Sequence, residues 1–321
     1  MNSVAYLSPV QAQLQLVEAH LHSQADDRHP DLRAALDQIL AAGGKRIRPA
    51  LCLLVGDMLG APSDRLVILG AAVELLHTAT LVHDDLIDGS LLRRGTPTLN
   101  ARWSPAATVL TGDFLFARAA KLAAETDHLP LMNLFAETLA VIVNGELNQL
   151  FAGRGIVNRE NYYRRIHAKT ASLFEMTCGA AAMLSPAGQD TIEDMRRFGY
   201  ETGMAFQIVD DILDFTGEQR AVGKPIGSDL LNGLVTLPTL YYAESAPEDS
   251  DVRSLSDGGW ANQERMTRLV ESVRKTDAVD RAMREASEHL DRAVGVLERF
   301  DPVPERAALE NLAKFIIDRK A

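Results

Sequence analysis

The chain is written almost throughout in helical period, and inside that period it repeats one acidic cluster. In LLHTATLVHDDLID and GMAFQIVDDILD the apolar residues recur at three- and four-residue steps, the spacing of one face of an α-helix. Asp84, Asp85 and Asp88 in the first segment share their DDxxD spacing with Asp210, Asp211 and Asp214 in the second. The first and last aspartates of each cluster therefore fall on one face. A solvated acidic face is flanked by polar residues, whereas these aspartates interrupt runs of Leu, Ile, Val and Ala that would otherwise be buried. Carboxylates crowded in such surroundings resist ionising together unless cations neutralise them. All-oxygen ligands of this kind suit the hard ion Mg²⁺. Two such patches facing each other would hold a metal-bound polyphosphate.

The same period, punctuated by Pro and Gly, predicts helices at about 9–22, 31–42, 47–60, 64–89, 105–126, 130–152, 159–184, 189–216, 234–245, 261–274, 277–299 and 304–318. Few segments alternate like strands. The expected fold is all-α, a helical bundle around a central cavity. No linker or composition break divides the chain, so residues 1–321 are expected to form one domain. The polar stretch SAPEDSDVRSLSDGG, residues 245–259, reads as a surface loop. Hydrophobic residues make up 46% of the chain, enough for a large core, and no uninterrupted apolar run approaches the roughly 20 residues that span a bilayer. MNSVAYLSPVQAQ lacks the charged start and apolar run of a signal peptide, which predicts a cytoplasmic protein. Cys52 and Cys178 form no CxxC pair and are expected to be buried apolar residues. A formal net charge of −11 argues against non-specific nucleic-acid binding.

Local basic clusters nonetheless suit an anion. GGKRIRP places Lys45, Arg46 and Arg48 behind two glycines, at the mouth of a helix where backbone amides and the dipole favour negative charge. Arg93 and Arg94 follow the first aspartate cluster closely, and their guanidinium forks suit phosphate oxygens. Lys169 and Thr170 in HAKTASLF, with Lys224 in GKPIGSD, would add a charge, a hydroxyl and another charge.

The series GGKRIRP, ELLHTATLVHDDLIDGSLLRRGTPT, GDFLFARA, NGELNQL, HAKTASLF, GMAFQIVDDILDFTG and GKPIGSDLLNGLVTLPTL resembles, in order and spacing, the trans-type polyprenyl diphosphate synthases. That resemblance implies an all-α enzyme, usually a homodimer, that joins isopentenyl diphosphate to an allylic diphosphate with Mg²⁺. It places Mg²⁺ on Asp84, Asp88 and Asp210, with Asp85, Asp211 and Asp214 in support. It gives the isopentenyl diphosphate to Lys45, Arg48, His77 and Arg94, and the allylic diphosphate to Arg93, Lys169 and Lys224, with Thr170 and Gln207 beside the reacting carbons. One match fails: Leu234 stands where many relatives carry a lysine, which predicts weaker binding of the allylic diphosphate.

The chemistry accounts for these residue types. Loss of diphosphate from an allylic carbon leaves a delocalised cation, and metal with Lys and Arg stabilises the charge that develops on the leaving group. Oxygen dipoles from Thr170 and Gln207 would face the cation without the full negative charge that risks capturing it. Product length is expected to be set in the helix preceding Asp84. The resemblance implies that enzymes stopping early carry aromatic residues where this chain has Ala79 and Thr80, so a medium- to long-chain product is predicted, with Phe135 as the floor. A short-chain synthase is the alternative, and a class I terpene cyclase a weaker one. A di-iron bundle, suggested by the ExxH of Glu74 and His77, would need a second such motif on a facing helix. All six aspartates argue against a non-catalytic subunit, although the catalytic half of a heterodimer fits the same residues. A long product also implies transient membrane contact for its release.

Overall fold

Helical period is a local property, and the chain realises it almost where the sequence places it. The computed structural model describes residues 5–24, 29–41, 44–93, 95–151, 155, 157–216 and 226–319. Two compact units are present, one of Met1–Glu137, Met176–Arg196 and Phe300–Asn311, the other of Thr138–Glu175, Arg197–Arg299 and Leu312–Ala321.

The first unit contains α1 (Gln11–Ser23), α2 (Pro30–Ala41), α3 (Ile47–Met58), α4 (Ser63–Ile87), α5 (Pro105–Glu125) and the start of α6 (Leu129–Phe151). Helix α4 is its centre, packed by α1, α3 and α5. Leu66, Leu69, Val73, Leu75 and Leu76 are fully buried, so α4 is apolar around most of its circumference, as a core helix must be. By length and composition α4 would also cross a membrane, yet most of its apolar window is buried inside the protein. Small residues let the neighbours close in. A Cβ on Gly56 of α3 would lie 2.2 Å from Leu66 Cδ2, and one on Gly70 would meet Val17 of α1 at 3.3 Å. Cys52 and Cys178 are both buried, as expected, and burial pushes the Cys52 thiol well above its ordinary value.

Beyond α4 the chain makes a feature that the sequence reading missed, a hairpin of β1 (Leu92–Arg93) and β2 (Thr96–Pro97). Strands of two residues are too short to show alternation. Gly95, with φ +75°, makes the turn possible. Ser104 then caps α5 by accepting from Ala107 N, with Pro105 in the first turn.

The second unit carries the rest of α6, then α7 (Arg159–Ile166), a π turn (His167–Ala171), the start of α8 (Ser172–Met183) and α9 (Gln189–Thr216) from Arg197 onward. The single helix expected over 159–184 is thus interrupted. The interruption sits where two helices approach closely: a Cβ on Gly145 of α6 would be 2.5 Å from Ala168 Cβ, and one on Gly203 of α9 would be 2.6 Å from Ala171 Cα. A π turn widens the helix locally and re-aims its side chains. Further on are α10 (Ser228–Leu231), α11 (Leu237–Ser245), α12 (Ser250–Ser254), α13 (Gln263–Arg274), α14 (Ala278–Leu297) and the end of α15 (Pro304–Ile317). The expected loop at 245–259 contains α12. Asp249 accepts from Asp251 N and Val252 N, and Asp251 receives both Nε and Nη2 of Arg268. Turns flank this short helix on both sides, as expected, and the polar residues also supply its cap and an ion pair.

Candidate functional site

In the first unit the acidic cluster occupies the last turn of α4, and Asp88 is the residue at its C-terminal cap. A helix C-terminus is the negative end of its dipole, so three carboxylates there call for cations. One is supplied internally. Asp85 is 7% exposed and takes the fork of Arg93, with Nη2 donating to Oδ1 at 2.8 Å and Nε spanning Oδ1 and Oδ2 at 3.0 and 3.1 Å. The hairpin is what returns Arg93 to the helix end. Asp84 is half-buried and Asp88 exposed, while Asp85 is tied inward to Arg93. Gly112 of α5, the glycine of GDFLFARA, makes room beside them: a Cβ there would sit 2.2 Å from His83 Nε2, whose ring donates to Val109 O at 3.1 Å.

The basic cluster of the same unit divides. Lys45 is exposed just before α3, and Arg48 lies half-buried in its first turn. His77 is half-buried on α4, which packs against α3. Arg46, expected to join them, turns away. Its left-handed backbone, φ 45°, aims the guanidinium at Glu18 of α1 and at Glu74 of α4, where Nη1 donates at 2.7 Å. This arginine pins three helices. It also uses Glu74, so the ExxH of Glu74 and His77 has a structural explanation for its glutamate. Ala79 is fully buried on α4, Thr80 donates its hydroxyl to His77 O at 2.7 Å, and Phe135 of α6 is 1% exposed. Arg94 lies outside the described residues.

In the second unit the other cluster lies in the last two turns of α9, and its middle aspartate is again buried. Asp211 is 4% exposed, accepting from Gln207 Nε2 and from Tyr162 OH, each at 2.8 Å. Burial lifts its carboxyl to about 7, Asp229 adds to the rise, and the Gln207 and Tyr162 hydrogen bonds oppose it. Asp214 organises the chain that follows, accepting from Ser228 Oγ at 2.8 Å and from the amides of Ser228 and Asp229 at 3.1 Å. Asp210 is half-buried and forms an ion pair with Arg319, whose Nη1 stands 2.8 Å from Oδ1. Arg319 is held there by Phe206, over whose ring its guanidinium lies at 3.9 Å. The π turn brings Thr170 to Gln207, Oγ1 donating to Oε1 at 2.6 Å, and Lys169 to Glu146 of α6, Nζ to Oε1 at 2.8 Å. Lys224 lies outside the described residues, and Leu234 is half-buried.

Among the described residues no group of three or more His, Cys, Asp or Glu side chains forms a ready-made metal cage. The donor sets still fit a hard divalent ion. Such ions take one or two carboxylates and fill the remaining positions with water and substrate phosphate. Asp84, Asp88 and Asp210 are less buried than Asp85 and Asp211. Sequence reasoning overlooked Tyr162, Glu146 and Arg319. Tyr162 precedes Lys169 by two helical turns, and Glu146 belongs to NGELNQL, so both left a signal. Arg319 left none.

The family model described as polyprenyl synthetase matches residues 29–273. The chain is 36% identical over 304 residues to the heptaprenyl diphosphate synthase component 2 of Geobacillus stearothermophilus, covering 94% of each protein. It is 37% identical over 319 residues to the all-trans-nonaprenyl-diphosphate synthase (geranyl-diphosphate specific) of Rhodobacter capsulatus, covering 98% of this chain and 97% of that one. The crystal structure of a polyprenyl synthase from Caulobacter crescentus CB15, complexed with calcium and isoprenyl diphosphate, superposes with a TM-score of 0.92 at 34% identity, over 100% of this chain and 98% of that one. A family match of that length, joined to relatives above 30% identity along nearly the whole chain, means that the chain belongs to the polyprenyl synthetase family and is a prenyltransferase.

Proposed function

We propose that this prenyltransferase is a Mg²⁺-dependent long-chain synthase that condenses isopentenyl diphosphate with an allylic diphosphate, working as a single domain and releasing an all-trans polyprenyl diphosphate. The observation that carries this reading is the shared division of the two DDxxD clusters. In each, the middle aspartate is bonded into the protein, to Arg93 or to Tyr162 and Gln207, while the first aspartate stands less buried. Asp84, Asp88 and Asp210 would hold the metal, which neutralises the diphosphate as the allylic C–O bond breaks.

The chain's own residues do the rest. Lys45, Arg48, His77 and Arg94 bind and orient the isopentenyl diphosphate, and Arg93, Lys169 and Lys224 bind the allylic diphosphate. Lys169, paired with Glu146, exchanges that carboxylate for phosphate oxygens when substrate arrives. Thr170 and Gln207 turn oxygen toward the cation, and the alkene, held in place, attacks it. The released diphosphate accepts the proton. Ala79 keeps the helix face small, and with Thr80 it leaves the tail room to grow toward Phe135.

Assembly belongs to the same reading. In the second unit α6 exposes Val143, Leu147, Leu150 and Phe151, an apolar stripe suited to a second copy of this chain. The relative named component 2 favours a second arrangement, a heteromer in which this chain is the catalytic half. We place the enzyme in the cytoplasm, with transient membrane contact as the long product leaves.

The test is incubation of the purified chain with Mg²⁺, farnesyl diphosphate and labelled isopentenyl diphosphate, followed by separation of the dephosphorylated products by length. A ladder running well past four isoprene units is expected. Incorporation that stops at three or four would keep the transfer and overturn the open shaft at Ala79. No incorporation, restored by a partner polypeptide, would establish the heteromer.

A further inference from the structure

We infer that Tyr162 is a positioning residue for prenyl transfer: through Asp211 it fixes which end of the Gln207 amide faces Thr170. The inference rests on the proposed reaction and adds a residue to it. A carboxamide has two ends of nearly equal shape and opposite polarity, and its neighbours decide which way it points. Here the neighbours are specific. Asp211 Oδ1 accepts from Gln207 Nε2 at 2.8 Å, and the other end of the amide, Oε1, accepts from Thr170 Oγ1 at 2.6 Å. The second oxygen of Asp211 accepts from Tyr162 OH at 2.8 Å, so the carboxylate is held at both oxygens and has no rotation left.

The anchor is itself immobile. Tyr162 is 1% exposed on α7, the Arg165 guanidinium lies 5.5 Å from its ring centroid, and Asn158 caps the helix by accepting from Asn161 N. The relay Tyr162, Asp211, Gln207, Thr170 thus joins α7, α9 and the π turn. Its consequence is a matter of sign. With Nε2 committed to Asp211, Gln207 offers oxygen on the Thr170 side. With its proton committed to Gln207, Thr170 offers lone pairs to anything beyond. An allylic cation is attracted by that arrangement and repelled by the flipped one, in which N–H groups would face it.

A double-mutant cycle tests this, with kcat and both KM values measured with Mg²⁺, farnesyl diphosphate and isopentenyl diphosphate, normalised to folded protein by circular dichroism. Tyr162→Phe is expected to lower kcat roughly threefold to tenfold, the worth of one hydrogen bond, and to leave both KM values unchanged. In a Gln207→Leu background the same substitution is expected to cost nothing further, because its effect passes through Gln207. Losses that multiply in the double variant, an unchanged kcat in Tyr162→Phe, or a rise in KM would each overturn the inference. Should Tyr162→Phe fail to fold, Asp211→Asn takes its place. An amide at 211 can donate as well as accept, so Gln207 is free to turn, and the same loss and the same non-additivity are expected. A wild-type chain that transfers no prenyl group, alone or with a partner polypeptide, removes the reaction and the relay together, whereas an active wild type with an unaffected variant removes the relay alone.

Discussion

Six aspartates in two identical motifs end in different circumstances, and the difference lies in what the fold brings to each. Asp85 and Asp211 hold the same place in their motifs and are equally buried, yet one meets a guanidinium and the other meets only neutral donors. Tyr162 and Gln207 offset only part of the desolvation of Asp211, so its carboxyl rises to about 7. Leu234 stands where the family resemblance implies a lysine in many relatives. Its amide donates to Asp229 O at 2.9 Å, and the side chain is half-buried. A lysine stem can replace the leucine packing and carry its charge outward. Leu234→Lys is expected to lower KM for the allylic substrate roughly two- to fivefold, about the strength of one partly exposed ion pair. Steady-state kinetics at saturating isopentenyl diphosphate would measure it, and an equal or higher KM would show that other residues already compensate.

At the scale of elements, α9 is the member on which the second unit depends, because it carries Gln207 and the aspartates while gripping α14. Glu201 of α9 accepts from His289 Nδ1 at 2.6 Å and from Arg292 Nε at 3.0 Å, both on α14. Burial pushes the Glu201 carboxyl up, but His289 and Arg292 together outweigh it and hold the group below its ordinary value of 4.5. A carboxyl depressed in the folded state stabilises the protein above its unfolded pKa. That stabilisation disappears as pH falls through the folded value. Glu201→Gln is therefore expected to cost about 1–3 kcal/mol at neutral pH, the penalty for leaving the partners of a buried charge poorly matched. The gap from wild type should close in acid. Urea denaturation between about pH 3 and pH 7 checks the sign, and a gap that widens in acid would contradict it.

For the molecule as a whole, assembly is the property its surface bears on most directly. Leu147 and Leu150 stand 41% and 55% exposed on α6, one turn apart. Single exposed apolar residues are ordinary, whereas a stripe of them along one helix marks an interface. On the proposed pairing with a second copy, Leu147→Asp with Leu150→Asp is expected to leave a single chain, read as a halving of mass by light scattering after gel filtration. Substitutions at such exposed positions cost a folded monomer little, so the monomer should keep its helical circular dichroism. An unchanged mass would remove α6 from the proposed interface.

Sequence alone determined the helices and the chemistry they carry. Apolar spacing is a local code, so α4 and α9 were legible to within two residues at either end, and a DDxxD inside an apolar run announces its need for cations wherever the helix goes. Seven motifs in order carried the family. What stayed hidden were partnerships between residues far apart in the chain. Arg46 reads as one of three clustered cations until α1 and α4 deliver Glu18 and Glu74 to it. Nothing in RRGTP tells that two residues on each side of a turn pair and swing Arg93 onto Asp85. Nor does DDILD tell that Asp210 meets Arg319 while Asp211 meets Tyr162. Those choices follow from packing. The glycines at 145 and 203 let α6 and α9 close on the π turn, and that close packing, which no local period encodes, brings Lys169 to Glu146 and Thr170 to Gln207.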